Sequence, residues 1–170
     1  SKLLQELVLD FVKEGEYTQK NLETYKRNLA KKTGYMPKNS SLLEIYRQML
    51  EEDKVKKNPQ MENMLRLKSI RSLSGIVPVA VLTKPYTCPG NCIYCPTQEN
   101  IPKSYLDDEP AVMRAEMAGF DPHLQLSRRL EQLQATGHST EKIELIVMGG
   151  TFTYLPWDYQ KEFLKRCFDA

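Results

Sequence analysis

Long apolar runs are absent from this 170-residue chain: nowhere do about eighteen apolar residues follow one another, the length a helix needs to cross a bilayer. A membrane span is not expected. The apolar stretch near the N-terminus, Leu3 to Val8, carries Glu6 inside it, which a secretory signal does not tolerate, so the chain reads as soluble and cytoplasmic. Cysteine is scarce, and of the 4 present Cys88, Cys92 and Cys95 are clustered while Cys167 stands far away. That is the spacing of a metal site, not of a disulfide framework. Internal repeats and low-complexity tracts are missing too, and so is a large charge of one sign, the formal net charge being +2. That small number hides an asymmetry, since residues 1–84 hold 16 Lys and Arg against 10 Asp and Glu, leaving 8 against 12 for residues 85–170. The front half is the basic half. With 41% hydrophobic residues the chain can bury a core, enough for one domain and a small appendage.

Residues 1–66 read as short helices. Leu3, Leu4, Leu7, Val8, Phe11 and Val12 recur at helical spacing, and Gly15 is placed to end that helix in a left-handed cap. A second helix is expected from about Asn21 to Lys32 with Gly34 as its stop. A third is expected to begin at Ser41, which with Glu44 has the form of a capping box, and Asn58-Pro59 opens a short fourth. The domain boundary is drawn at residue 69, giving a basic helical leader over 1–69 and a second domain over 70–170. There Ile76 to Leu82 is a strand-like run, with Pro78 pointing to an edge or to the strand's beginning. Pro110 and Asp121-Pro122 open two helices, Ile143 to Met148 is a second strand, Gly149-Gly150-Thr151 is a turn, and a last helix starts near Pro156. Strand, loop, helices, strand, turn, helix is the alternation of a parallel α/β sheet. Two parallel strands cannot close a barrel, so an incomplete fold is expected, with a third strand after the last helix.

The loop after the first strand reads Lys84-Pro-Tyr-Thr-Cys88-Pro-Gly-Asn-Cys92-Ile-Tyr-Cys95-Pro96. Three thiolates on a tight loop can hold three corners of a four-iron cluster, leaving the fourth iron without a protein ligand and open to substrate or cofactor. A zinc site is the competing reading, with Cys167, His123 or His138 as the fourth ligand. Three unligated thiols are a further one. The Gly149-Gly150 pair can also serve only backbone freedom, Cys167 suits a small core position, and both histidines suit structural roles.

The CxxxCxxC loop after a first parallel strand resembles the radical S-adenosylmethionine superfamily, whose fold is a partial TIM barrel. The resemblance makes Cys88, Cys92 and Cys95 ligands of a 4Fe-4S cluster and implies that S-adenosylmethionine chelates the open iron. Tyr94 would then pack by the adenine, and Gly149, Gly150 and Thr151 would line the rest of the cofactor site. The flanks are more specific. Thr83-Lys84-Pro85, Cys92-Ile-Tyr-Cys95-Pro96, Met113-Arg114-Ala115, Asp121-Pro122, Gly137-His138 and Ile146-Val147-Met148-Gly149-Gly150-Thr151-Phe152 resemble the catalytic subunit of Elongator. The three-residue gap between Cys88 and Cys92 sides with its bacterial and archaeal forms. The resemblance covers about residues 70 to 170, with a looser match before.

Such a resemblance implies an enzyme that builds a carboxymethyl group at C5 of the wobble uridine 34 of transfer RNA. A radical derived from S-adenosylmethionine would activate the methyl of acetyl-coenzyme A, the co-substrate. Lys84 is the candidate for approaching the nucleotide or thioester. The family's C-terminal acetyltransferase domain has no counterpart here, so this piece alone is expected to be inactive; a second copy of the chain is a candidate partner. For RNA contact the basic clusters are Lys26, Arg27, Lys31 and Lys32, then Lys54, Lys56 and Lys57, then Arg66, Lys68 and Arg71, all suited to phosphates. Tyr17, Tyr25 and Tyr35 can stack on bases or pack in the core. The alternatives are another radical S-adenosylmethionine reaction on transfer RNA, such as methylthiolation, or a non-enzymatic zinc-stabilised RNA-binding module.

Overall fold

Apolar residues at three- and four-residue spacing produce the first four helices of the computed structural model, which describes residues 2–170; Ser1, the first residue of the expected leader, lies outside the described residues. α1 (Lys2–Glu14) buries Leu7, Val8 and Phe11 and is followed by Gly15 at φ +74°. α2 (Gln19–Thr33) starts on the hydroxyl of Thr18, which accepts from the Asn21 N–H at 3.2 Å, and ends at Gly34, whose φ of +72° is the left-handed stop expected of it. α4 (Pro59–Leu65) is capped by the Asn58 side chain, which accepts from Gln60 and Met61.

One start is a correction. α3 spans Asn39–Glu51, beginning before Ser41, and its N-cap residue Lys38 makes no side-chain cap bond, so the expected Ser41–Glu44 capping box does not form. Its apolar residues Leu42, Leu43, Ile45, Tyr46 and Met49 are buried, so packing overrides the local cap signal. These helices share one core with Leu22, Met61 and Leu65. Phe11 meets Tyr17 and Tyr25 edge-on at 5.7 and 5.6 Å, so these two rings are engaged in aromatic packing.

The chain divides into two compact units, the first running to Gly75 and taking in Gln132–Thr140, the second comprising Ile76–Glu131 and Glu141–Ala170. In the second, β1 (Val77–Leu82) pairs parallel with β2 (Ile143–Met148), in the register Val77↔Ile143 through Leu82↔Met148. This is the α/β alternation that the sequence suggests. α5 (Pro110–Met117) packs on β1; α6 (Pro122–Ala135) and α7 (Trp157–Phe168) complete the order. Leu82, Ile101, Val112 and Ala115 form one cluster of its core. Among the described residues no helix is long and apolar enough to cross a membrane.

The proline in β1 has a geometric explanation. Val77 and Thr83 donate to Lys142 and Met148 across the ladder at 3.0 and 2.9 Å, so the alternate residues Pro78, Ala80 and Leu82 direct their backbone groups to the other edge. Pro78 has no N–H to lose there. At Leu82 the buried side chain of Gln125 imitates a neighbouring strand, its Oε1 accepting from Leu82 N–H and its Nε2 donating to Leu82 C=O, both at 2.9 Å. The outer edge of β1 thus lacks a donor at Pro78 and is bonded by Gln125 at Leu82.

Candidate functional site: the cysteine loop at the strand ends

Because β1 and β2 run parallel, the segments that follow them leave from the same end of the sheet. Thr83 continues the ladder with its N–H to the Met148 carbonyl, and its side chain is buried. Opposite it Gly149 has φ +147°, and a Cβ there would stand 2.2 Å from Thr83 Oγ1. Glycine is required by sterics at this position. Gly150 and Thr151 then come beside the cysteine loop: a Cβ on Gly150 would lie 3.9 Å from Cys88 Sγ, and Cys88 Sγ is 3.6 Å from Thr151 Oγ1.

The loop is turned by Cys95 N–H to Cys92 C=O at 3.1 Å and tied farther on by Ser104 N–H to Pro96 C=O at 3.3 Å. The N–H of Gly90 is the first cause holding the Cys88 thiol below its ordinary pKa; the Thr151 hydroxyl, the Thr151 N–H and Lys103 add to it against a smaller opposing burial. A Cβ at Gly90 would be 3.6 Å from Cys92 Sγ and 3.8 Å from Cys88 Sγ, so these two sulfurs flank one point that glycine leaves open. The third sulfur is not gathered with them. Cys95 Sγ lies 3.6 Å from its neighbour's carbonyl, on Pro96, and among the described residues no three His, Cys, Asp or Glu side chains converge as a metal-holding group.

Tyr94 is 86% exposed, projecting from the loop. Lys84 is occupied otherwise than by a substrate: its N–H donates to Tyr159 Oη at 2.9 Å and its ammonium lies 4.6 Å from the centre of the same ring. Burial raises the Tyr159 pKa, with the Lys84 N–H opposing. Of the candidate fourth ligands, Cys167 is buried on α7, and His123 lies beside Ser127 on its own helix. His138 is buried with Nδ1 2.7 Å from Ser72 Oγ and Nε2 2.8 Å from the Leu67 carbonyl. The carbonyl can only accept, so Nε2 carries the proton.

The basic residues differ among themselves. Lys26 is buried, its ammonium held by Glu23 at 2.9 Å and Asn39 at 3.0 Å. Lys54 pairs with Glu52 at 2.6 Å. Arg27, Lys31, Lys32, Lys56, Lys57, Lys68 and Arg71 are exposed, as is Tyr35. Arg66 is half-buried and donates to the Gly137 carbonyl at 2.9 Å. Sequence reasoning missed Lys103 and Tyr159, whose roles arise from distant contacts, and Arg47, a lone cation on α3 with no basic neighbour to mark it.

No family model matches the chain. Among curated proteins, one named tRNA uridine(34) acetyltransferase from Methanocaldococcus jannaschii is 46% identical over 140 residues, 79% of this chain and 25% of that protein. Another of that name from Methanocaldococcus infernus is 50% identical over 113 residues, 63% of this chain and 21% of that protein. Human Elongator complex protein 3 is 47% identical over 117 residues, 62% of this chain and 21% of that protein. This chain is a homologue of tRNA uridine(34) acetyltransferases and of Elongator complex protein 3. It spans about a fifth to a quarter of the length of these relatives, and the resemblance read from its motifs stands on these matches.

Proposed function

We propose that this chain is the cofactor-binding and RNA-binding portion of a transferase that modifies uridine 34 of transfer RNA by radical S-adenosylmethionine chemistry, with acetyl-coenzyme A as co-substrate and a carboxymethyl group at C5 as product. On this reading β1 and β2 are neighbouring strands of a partial barrel. One observation carries it: Cys88 meets Gly150 and Thr151 where the two parallel strands end, in a chain similar to proteins named tRNA uridine(34) acetyltransferase.

The donor set fits the group in its chemistry, with Cys95 Sγ having to leave the Pro96 carbonyl to join the other two sulfurs. Cys88, Cys92 and Cys95 are free thiols, none of them fully buried, the Gly90 N–H and the Thr151 hydroxyl hold the Cys88 thiol below its ordinary pKa, and Gly90 leaves the space between two of the sulfurs clear. These three residues would hold a 4Fe-4S cluster; Tyr94, Gly149, Gly150 and Thr151 would line the S-adenosylmethionine site. When bound, the pair supplies the one-electron chemistry that side chains lack. The chain's own work is positional. Gly149 and Gly150 let backbone approach a ligand closely, the Thr151 hydroxyl orients Cys88, and Thr83 and Gln125 fix the end of β1 from which the cysteine loop departs. Lys84, stacked on Tyr159, would reach the nucleotide or thioester only by leaving that ring. The exposed lysines and arginines of the helical unit would hold RNA phosphates.

The test is anaerobic reconstitution of this chain with iron and sulfide. The expected result is a broad visible absorption with iron and sulfide in cluster ratio, and loss of both in Cys92→Ser. One zinc per chain in material purified without added metal, or full cluster content in Cys92→Ser, overturns the assignment.

A further inference from the structure

The helical unit contains a cleft of about 200 Å³ lined by Leu43, Arg47, Glu62, Arg66, His138 and Ser139. Two guanidinium groups line it, Arg47 from α3 and Arg66 from the residue just after α4, and both are oriented by the segment at the end of α6: Arg47 Nη1 donates to the Gln134 carbonyl and Arg66 Nε to the Gly137 carbonyl, each at 2.9 Å. The approach of that segment depends on glycine. Gly137 has φ +92°, and a Cβ there would stand 3.0 Å from Leu43 Cδ2 and 3.2 Å from Arg66 Cγ. The cleft is thus a product of tertiary packing, and its arginines are ordered before any ligand arrives, so little rotamer freedom remains to be lost on binding.

Glu62 lines the same cleft, yet among the described residues neither arginine forms an ion pair with a carboxylate. His138 has both ring nitrogens engaged, which makes it a wall of the cleft. A guanidinium tied down through one N–H still presents the rest of its fork, a geometry that matches the oxygens of phosphate. Exposed Lys68 follows Arg66 closely in the chain, and exposed Lys56 and Lys57 precede α4, which suits a polymer of phosphates better than a lone anion.

We propose that this cleft is a phosphate subsite that holds one phosphodiester of the RNA substrate, with Arg47 and Arg66 as its paired donors and Glu62 as a built-in brake on its affinity. The assignment rests on the RNA-binding reading above. The test is titration of this chain with a labelled transfer RNA transcript over a range of salt, with inorganic phosphate as a second probe read by thermal melting. Arg47→Gln and Arg66→Gln should each weaken RNA binding about tenfold and each lower the salt slope by about one. Arg47→Lys should fall between wild type and Arg47→Gln, and Glu62→Gln should bind more tightly than wild type, an increase that loss of structure does not produce. Arg47 is exposed on α3, so its variants spare the fold even where Arg66→Gln does not. Unchanged affinity and slope in the Arg47 variants, with wild type binding RNA, overturns the subsite and leaves the RNA reading standing. A wild-type chain that binds no RNA at low salt overturns both. Stabilisation by inorganic phosphate that Arg47→Gln abolishes, without any effect of that change on RNA binding, makes the cleft a free-phosphate site and overturns its assignment to RNA.

Discussion

Gly149 carries the severest steric demand near the cysteine loop. A methyl group there meets Thr83 Oγ1 at 2.2 Å and Thr83 Cβ at 3.4 Å, on a backbone at φ +147°. Gly149→Ala should therefore cost about 1–3 kcal/mol of stability. Thr83→Ala removes the offending hydroxyl but not the backbone strain, so the double variant should lose less than the sum of the two singles. Denaturant melts of the four proteins measure this, and strictly additive losses would mean that Thr83 is not the obstacle. Cysteine reactivity separates at the same scale. Burial, with a smaller contribution from the charge of Asp121, pushes the Cys167 thiol up to about 11, whereas Cys88 lies lower than an ordinary thiol and Cys92 is exposed. In reduced, metal-free protein at pH 8, iodoacetamide should label Cys88 and Cys92 well before Cys167, which should react only on unfolding. Peptide mapping by mass spectrometry reads the order.

At the scale of elements, the start of α6 shows how one side chain does two jobs. Asp121 accepts the Leu124 N–H at 3.0 Å as an N-cap and pairs with Arg166 of α7. Burial raises its pKa, but the Leu124 N–H, the Arg166 charge and hydrogen bond, and the His123 N–H together outweigh burial and leave it depressed. A carboxylate with a depressed folded pKa stabilises the fold above its unfolded value, and that contribution is lost as pH falls through the folded pKa, here below about pH 4. Asparagine caps a helix as well as aspartate, so Asp121→Asn removes the charge pair and keeps the cap. It should lower stability by about 0.5–1 kcal/mol at pH 7 and flatten the acid limb of the stability curve. Thermal melts between pH 3 and 7 check both; a variant with wild-type pH dependence would remove Arg166 from the account. The same scale explains what was legible. Gly34, Asn58-Pro59, Pro110 and Asp121-Pro122 act locally, and the helices they bound are read correctly. Ser41 and Glu44 have the form of a cap, yet α3 begins before them at Asn39, with Leu42, Leu43 and Met49 buried in the core shared with α1, α2 and α4.

For the whole molecule, the sequence by itself determines the order of elements, the basic character of its first half and the three-cysteine loop, because caps, periodicity and spacing are properties of short stretches. It also identifies the relatives, since the motifs stand in order along the chain. Tertiary structure alone decides the rest. The return of Gln132–Thr140 to the helical unit is marked by Leu67 N–H to Thr136 C=O at 3.1 Å and by the bonds of Arg47 and Arg66. No local signal announces these pairings. The bonding of Leu82 by Gln125, the place of Lys84 on Tyr159 and the bond of Lys26 to Asn39 follow the same rule, because each sets residues distant in sequence against one another. Glu23 stands one helical turn from Lys26 in the sequence itself, but only the fold adds Asn39 and buries the lysine between them. Chemistry that needs several groups at once is written along the chain as separate words; only packing brings them to one point.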